Sequence, residues 1–293
     1  MTVAGRRLPI RRALIWAALL LAVAANVVGL ATLVIDHQRA FDWDNYLEAA
    51  RRFPLGTLYD WQEPYYFRYA PQLAPLFGLL GSVGLLLWRA AHFAALAAMP
   101  SRRLALVLLV SYPFWFDVVT GNLIVFIVLA AAWALRGNGL ATGIYLALCI
   151  LVPRPLMVPL LAWILWQRPR WRLPFAGMVA AGLLTALPTG YLAVWIGSLL
   201  QSSAREIAND FNLSPSRWVG LAWLIIGLPL AAWLTVRRRI GWASLAISPY
   251  LLPYYLQMLG LELVQPPADE ASPRWRWPGS GRATLAEHID RPA

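Results

Sequence analysis

Nine long apolar stretches divide this chain. They run over residues 13–35, 66–99, 104–116, 123–135, 140–152, 155–166, 173–196, 218–236 and 242–264. About 20 consecutive apolar residues suffice to cross a bilayer as a helix. Nine apolar runs of 12 to 34 residues in a chain of 293 leave no room for a conventional soluble domain. Composition agrees: 60% of the residues are hydrophobic and 13% charged, against about 25% charged in soluble domains. The 16 Trp, 11 Tyr and 10 Phe exclude a disordered or fibrous chain, which needs polar or periodic sequence. The pattern predicts an all-α, polytopic helical membrane protein with some short or broken helices.

Charge placement predicts topology. The formal net charge is +11, and every basic residue is Arg. A basic soluble protein would suggest a nucleic-acid partner. Here the arginines fall in short clusters between apolar runs, where they set orientation, so no nucleic-acid partner is expected. If 66–99 makes one net crossing, Arg6–Arg12, Arg102–Arg103, Arg136, Arg168–Arg172 and Arg237–Arg239 share the N-terminal, cytoplasmic side. Segments 36–65, 117–122, 152–155 and 201–217 then share the outer side. This gives about nine crossings of a plasma membrane, and an Arg-only, Ala- and Leu-rich chain fits a bacterial or archaeal one, bacterial first. Two short helices within 66–99 would reverse everything downstream. Several runs hold only about 13 apolar residues, roughly 20 Å of helix against a ~30 Å hydrocarbon core. Such helices are tolerated where protein or a water-filled cavity surrounds them. Residues 1–264 form a single transmembrane domain, and the Pro-, Ser- and Gly-containing stretch 265–293 is a disordered tail.

The outer loop, residues 36–65, concentrates the acids. Asp36, Asp42, Asp44, Glu48, Asp60 and Glu63 are six of the fourteen in the chain. Residues 45–52 predict a short amphipathic helix lying on the membrane. A carboxylate just above a lipid-lined cavity suits a general base, because partial burial raises its pKa toward working range. Asp42 is the first candidate and Asp44 its rival, and a solvated loop carboxylate is the plainer alternative. Tyr46, Tyr59 and Tyr69 offer flat faces for sugar rings or belt anchors. Arg68 and Arg154 offer guanidinium forks for a phosphate, or headgroup and snorkelling contacts. Asn122 opens a span on the same side, where it would bind substrate or cap the helix. Arg89 and His92 would share a helix face. The single Cys149 excludes an intrachain disulfide, and the three His residues form no metal motif. Phosphate-binding loop, dinucleotide, HExxH and nucleophile-elbow patterns are absent.

The ordered combination of these residues resembles the glycosyltransferase family 87 enzymes, polyprenyl-phosphate-mannose-dependent mannosyltransferases of the GT-C fold. The first part of the resemblance is Asp42-x-x-x-Tyr46-x-x-Ala49-Ala50, Gly56-x-x-Tyr59 and Phe67-x-Tyr69-x-Pro71. The second is Gly121-Asn122, Ala141-x-Gly143, Pro153-Arg154-Pro155 and Arg168-Pro169-Arg170-Trp171-Arg172. Ser248-Pro249-Tyr250 and Tyr254-Tyr255 are similar to a later family feature. The resemblance implies an inverting transferase that moves a sugar, mannose first, from a polyprenyl-phosphate donor to a lipid or glycan acceptor at the outer face. Asp42 would deprotonate the acceptor and Arg154 would hold the phosphate, with neither metal nor cofactor. The chain departs from the family pattern in having Asn for Gln at 122 and Arg for Lys at 154, and in ending early where relatives tend to carry further spans. A shortened relative could instead serve as a non-catalytic scaffold or partner subunit. A lipid or small-molecule transporter is the further alternative.

Overall fold

A computed structural model of the chain describes residues 15–28, 41–60, 67–81, 83–207 and 212–264. The N-terminal arginines, residues 36–40 and 61–66 of the outer loop, and the 265–293 tail lie outside the described residues. Among the described residues the structure is helical throughout, with no strand. The helices are α1 (Ile15–Val28), α2 (Phe41–Arg52), α3 (Leu73–Gly81), α4 (Gly84–Ala97), α5 (Arg102–Leu109), α6 (Tyr112–Thr120) and α7 (Ile124–Leu135). They continue as α8 (Gly139–Leu151), α9 (Val158–Gln167), α10 (Arg172–Ala186), α11 (Leu192–Ile207), α12 (Ser216–Val219), α13 (Trp223–Val236) and α14 (Ile240–Ile247). A 3-10 helix, Pro253–Leu263, follows.

Two apolar helices show how burial divides. In α7, residues such as Ile124, Val125, Ile127, Val128 and Ala131 are fully buried. A helix that is apolar all round and packed on every side is a core element, and α7 contacts α4, α8 and the 3-10 helix. By contrast, α13 is equally apolar but exposes Ile225, Ile226, Leu228 and Trp233. A soluble monomer rarely leaves such a contiguous apolar surface uncovered. The continuous helical stretch Ser216–Val236 is 21 residues long, and among the described residues it alone is long and apolar enough to cross a membrane as an unbroken helix. Three bent pairs raise that number to at most four if each is one span: α3 with α4, α5 with α6 at 72°, and the helices of Pro169–Thr189 and Leu192–Leu199 at 115°. The described helices thus include the short and broken ones expected from sequence, and by length and composition they supply one to four spans where about nine crossings were expected. Pro and Gly at the segment ends break the apolar runs into shorter helices.

The expected outer helix begins earlier than residue 45. It starts at Phe41, with Asp42 and Asp44 in its first turn and Arg51 and Arg52 in its last, the charge order that the helix dipole favours. Glu48 accepts from Arg52 Nε at 2.9 Å. The helix lies close on α3: an added Cβ at Gly78 would stand 3.1 Å from Ala50 Cβ.

The segments between helices gather at two ends. At one, Arg136 donates to Pro100 O at 2.6 Å, and buried Arg168 donates to Ala134 O and Leu135 O at 2.6 and 3.3 Å. Those Arg168 bonds add side-chain donors to the last carbonyls of α7. Gly260 packs against Leu104, and Arg239 pairs with Glu262 at 3.2 Å. At the other end, α2, residues 153–155 and residues 248–255 converge around one cavity, with the 120–122 turn against Asp42 behind its lining.

Candidate functional site

The cavity holds about 860 Å³ of empty space, part of it continuous with the exterior. Asp42, Tyr46, Arg68, Tyr69, Arg154 and Tyr255 are among its lining residues. Five of these were expected from sequence. Asp44 is not among them: it is exposed on α2. Two residues along a helix turn the side chain by about 200°, so when Asp42 faces inward Asp44 must face out.

Asp42 is 8% exposed, and its Oδ2 has no hydrogen-bond partner. Desolvation pushes its carboxyl up from 3.8 to about 6. Asn122, the charge of Arg154 and Thr120 pull the other way, and Asp117 adds a small upward push. The 120–122 turn reaches Asp42 because of Gly121, whose φ of +74° ends α6 in the left-handed region. An added Cβ there would stand 2.9 Å from Trp43 Cβ. Gly121 O accepts from Trp88 Nε1 at 2.9 Å, and Asn122 O lies 2.9 Å from His92 Nε2. Asn122 Oδ1 accepts from its neighbour Leu123 N at 2.6 Å, a local bond and not a cap of α7, whose N-cap is Leu123, and its Nδ2 has no partner.

Arg154 comes from the opposite wall. A residue before proline is held out of the helical region, and Arg154, between Pro153 and Pro155, is extended at φ −134°, ψ 134°. This projects the side chain from the break between α8 and α9. Its two terminal nitrogens donate to the Tyr255 and Tyr69 hydroxyls, and the guanidinium stands 5.1 and 5.3 Å from those ring centroids. Its Nε is buried and unpartnered. The Tyr46 hydroxyl lies 3.2 Å from that of Tyr69, and the Tyr46 ring stacks on Phe77 at 4.3 Å. Tyr59 stands outside the cavity lining and donates to Tyr69 O at 2.7 Å, fixing the strand of chain that carries Arg68 and Tyr69.

The far wall, residues 248–250, is tied down by a buried polar cluster. Asn212 Oδ1 accepts from Leu251 N at 2.9 Å, and Ser214 Oγ donates to Ser248 O at 2.9 Å. Arg89, from the α4 face shared with His92, donates to Val118 O and Val119 O at 3.2 and 3.1 Å and closes the end of α6. Sequence reasoning passed over Asp117, Thr120 and Gln257. A lone carboxylate and a lone amide inside apolar runs were the available signals. Among the described residues no group of three or more His, Cys, Asp and Glu side chains is placed to hold a metal ion.

The site thus sets an uncharged-to-anionic carboxyl and a permanently cationic guanidinium around one aromatic-walled cavity. Such a pair can take a proton at Asp42 and hold an anion at Arg154. Compared with protein-family profiles, curated proteins and solved structures, the chain matches none of them.

Proposed function

We propose that the chain is a membrane glycosyltransferase. It takes a sugar, mannose in the first instance, from a polyprenyl-phosphate donor and passes it to a lipid or glycan acceptor at the outer face. The observation that carries this reading is the placement of Asp42, buried with an unpartnered oxygen, in the same cavity as Arg154. Asp42 removes the proton of an acceptor hydroxyl. The acceptor oxygen bonds to the anomeric carbon as the bond from that carbon to the phosphate oxygen breaks. Polyprenyl phosphate departs with the electron pair, and Arg154 offsets its charge. Tyr46, Tyr69 and Arg68 border the sugar and phosphate, Asn122 steadies Asp42 from behind the lining, and Tyr59 braces Tyr69. Inversion at the anomeric carbon follows from a single displacement.

The membrane arrangement belongs to the same proposal. Counting α1, the three bent pairs, α7, α8, α9 and Ser216–Val236 as one crossing each gives eight; α14 then runs to the cavity end and the 3-10 helix returns beside it, Glu262 Oε1 accepting from Gly241 N at 2.9 Å, so this hairpin adds no net crossing. The arginine-rich end is cytoplasmic, as the positive-inside rule favours, and the cavity opens outward from a plasma membrane, bacterial on this reading. Broken helices around a polar cavity support it, because irregular backbone at membrane depth survives only where protein or water surrounds it.

The test is sugar transfer in membranes containing the full chain, with radiolabelled polyprenyl-phosphate-mannose as donor. Wild type and Asp42→Asn are compared at matched protein levels. Transfer by wild type that collapses in the variant is the expected result. Absence of transfer by wild type while the labelled lipid still binds would overturn it in favour of a non-catalytic scaffold. Gradient-dependent flux of the lipid without transfer would favour a transporter.

A further inference from the structure

We propose that Asp117 is a positioning residue for Asp42 and that it works as a hydrogen-bond acceptor, not as a charge. The inference rests on the transferase reading for its activity readout. Asp117 is fully buried at the end of α6. A single carboxylate oxygen, Oδ2, accepts both from Val125 N at 2.8 Å and from Gln257 Nε2 at 3.0 Å. Its main-chain oxygen accepts from Gly121 N at 2.9 Å, Asn122 N at 3.2 Å and the Thr120 hydroxyl at 3.3 Å. Asp117 therefore closes the turn that sets Thr120 and Asn122 beside Asp42, and its side chain caps the first turn of α7.

The same side chain couples the two halves of the site. Gln257 lies on the 3-10 helix that carries Tyr255, the residue that grips Arg154. The Asp117–Gln257 bond thus links the turn beside the base to the segment beside the cation.

The acceptor role follows from which oxygens are used. Asp117 Oδ1 and Gln257 Oε1 are both buried and both lack a partner. Exchanging Asp117 for Asn keeps one oxygen to serve Val125 N and Gln257 Nε2. It puts an amide donor where an unpartnered oxygen stood. A group needed for its charge cannot survive that exchange; a group needed as an acceptor can.

The experiment uses the full chain in detergent or membranes, with Asp117→Ala, Asp117→Asn and Asp42→Asn. Two quantities are read: steady-state transfer of labelled mannose, and amide exchange of a peptide spanning residues 117–126 by mass spectrometry. Asp117→Ala is expected to lower kcat by at least about tenfold while the donor KM moves less than about twofold. It should also speed exchange of the peptide about fivefold, the effect of losing a helix cap. Asp117→Asn should stay within about twofold of wild type in both. If Asp117→Ala does not accumulate, Gln257→Leu, which removes one of the two bonds, takes its place with the same expected direction. Loss of transfer in Asp117→Asn as deep as in Asp42→Asn would overturn the acceptor assignment. Unchanged kcat and exchange in Asp117→Ala would overturn the positioning role. If wild type transfers no sugar, the transferase reading fails separately. The exchange contrast between the Ala and Asn variants then decides this inference alone, fast against wild-type-like supporting it and equal rates overturning it.

Discussion

Replacing Asp42 by Asn separates a working carboxylate from a structural one, because the two roles predict opposite signs for stability. Burial raises the Asp42 carboxyl from 3.8 to about 6. The folded chain then binds this proton more tightly than the unfolded chain. Below pH 3.8 both states are protonated and there is no penalty. Between 3.8 and 6 the unfolded state ionises first and the penalty grows. Above 6 it is complete, and at about 1.4 kcal/mol per pH unit it amounts to about 3 kcal/mol. An Asn at 42 is neutral at every pH and escapes the penalty. The variant should therefore be more stable than wild type at pH 7.5, by up to about 3 kcal/mol, with a thermal midpoint several degrees higher. The advantage should vanish near pH 4. Sugar transfer should fall by about 10²- to 10⁴-fold, the range for loss of a general base. Wild-type kcat/KM should rise with pH through an acid limb near 6. Thermal unfolding in detergent across pH 4–8, paired with the transfer assay, reads all of this. A variant less stable than wild type at pH 7.5, or one whose advantage does not depend on pH, would refute the reasoning. Such a carboxylate would be holding the fold together rather than being held ready for chemistry.

Three further substitutions test neighbouring parts of the argument. Arg154→Lys keeps the charge but loses the planar fork that meets both Tyr69 and Tyr255; transfer should drop at least about tenfold with a raised donor KM in steady-state kinetics. Gly121→Ala meets both a φ of +74° and a Trp43 contact of 2.9 Å, so thermal unfolding should show a loss of about 1–3 kcal/mol. Arg238→Gly works in the opposite direction: Arg238 sits at φ +62°, and glycine there should raise stability by about 1 kcal/mol in the same assay.

Why some of the site was legible and some was not follows from how each residue is held. Asp42, Arg68, Tyr69 and Arg154 stood out because charge and clustered aromatics are conspicuous beside apolar runs. Arg154 was especially visible, since the prolines on either side announce an extended residue at a helix break. The sequence could not decide between Asp42 and Asp44. That choice depends on where the helix starts, and the structure begins it at Phe41, four residues before the expected boundary. Asp117 and Gln257 were passed over for a different reason. They are 140 residues apart, and no local pattern reveals that a buried carboxylate and a buried amide will meet. The helical class was legible from period and length. The bends were not, because an apolar run reads the same whether it crosses straight or turns by 72° at Val110–Ser111.

The bends also explain why the site lies where it does. A straight helix satisfies its own backbone and offers a cavity only side chains. A broken one frees carbonyls and amides that must find partners, and the residues that meet this need are those that build the site. Gly121 ends α6 early, and its carbonyl takes Trp88 while the next takes His92. The break at Val152–Pro155 frees Leu151 O, which accepts from Ala70 N at 2.8 Å and draws the Arg68–Tyr69 segment onto Arg154. The break at 248–252 is bound by Asn212 and Ser214. Each interruption shortens a helix, and each places residues at the cavity or against its carboxylate: Arg154 and 248–250 in the lining, Thr120 and Asn122 beside Asp42. Shortness of the helices and polarity of the site are therefore one property. A substitution that mended a break, such as Pro153→Ala together with Pro155→Ala, should lengthen α8 at the expense of the Arg154 position. Its expected mark is a lost transfer rate with thermal stability retained; retained transfer would show that the break is incidental to the site.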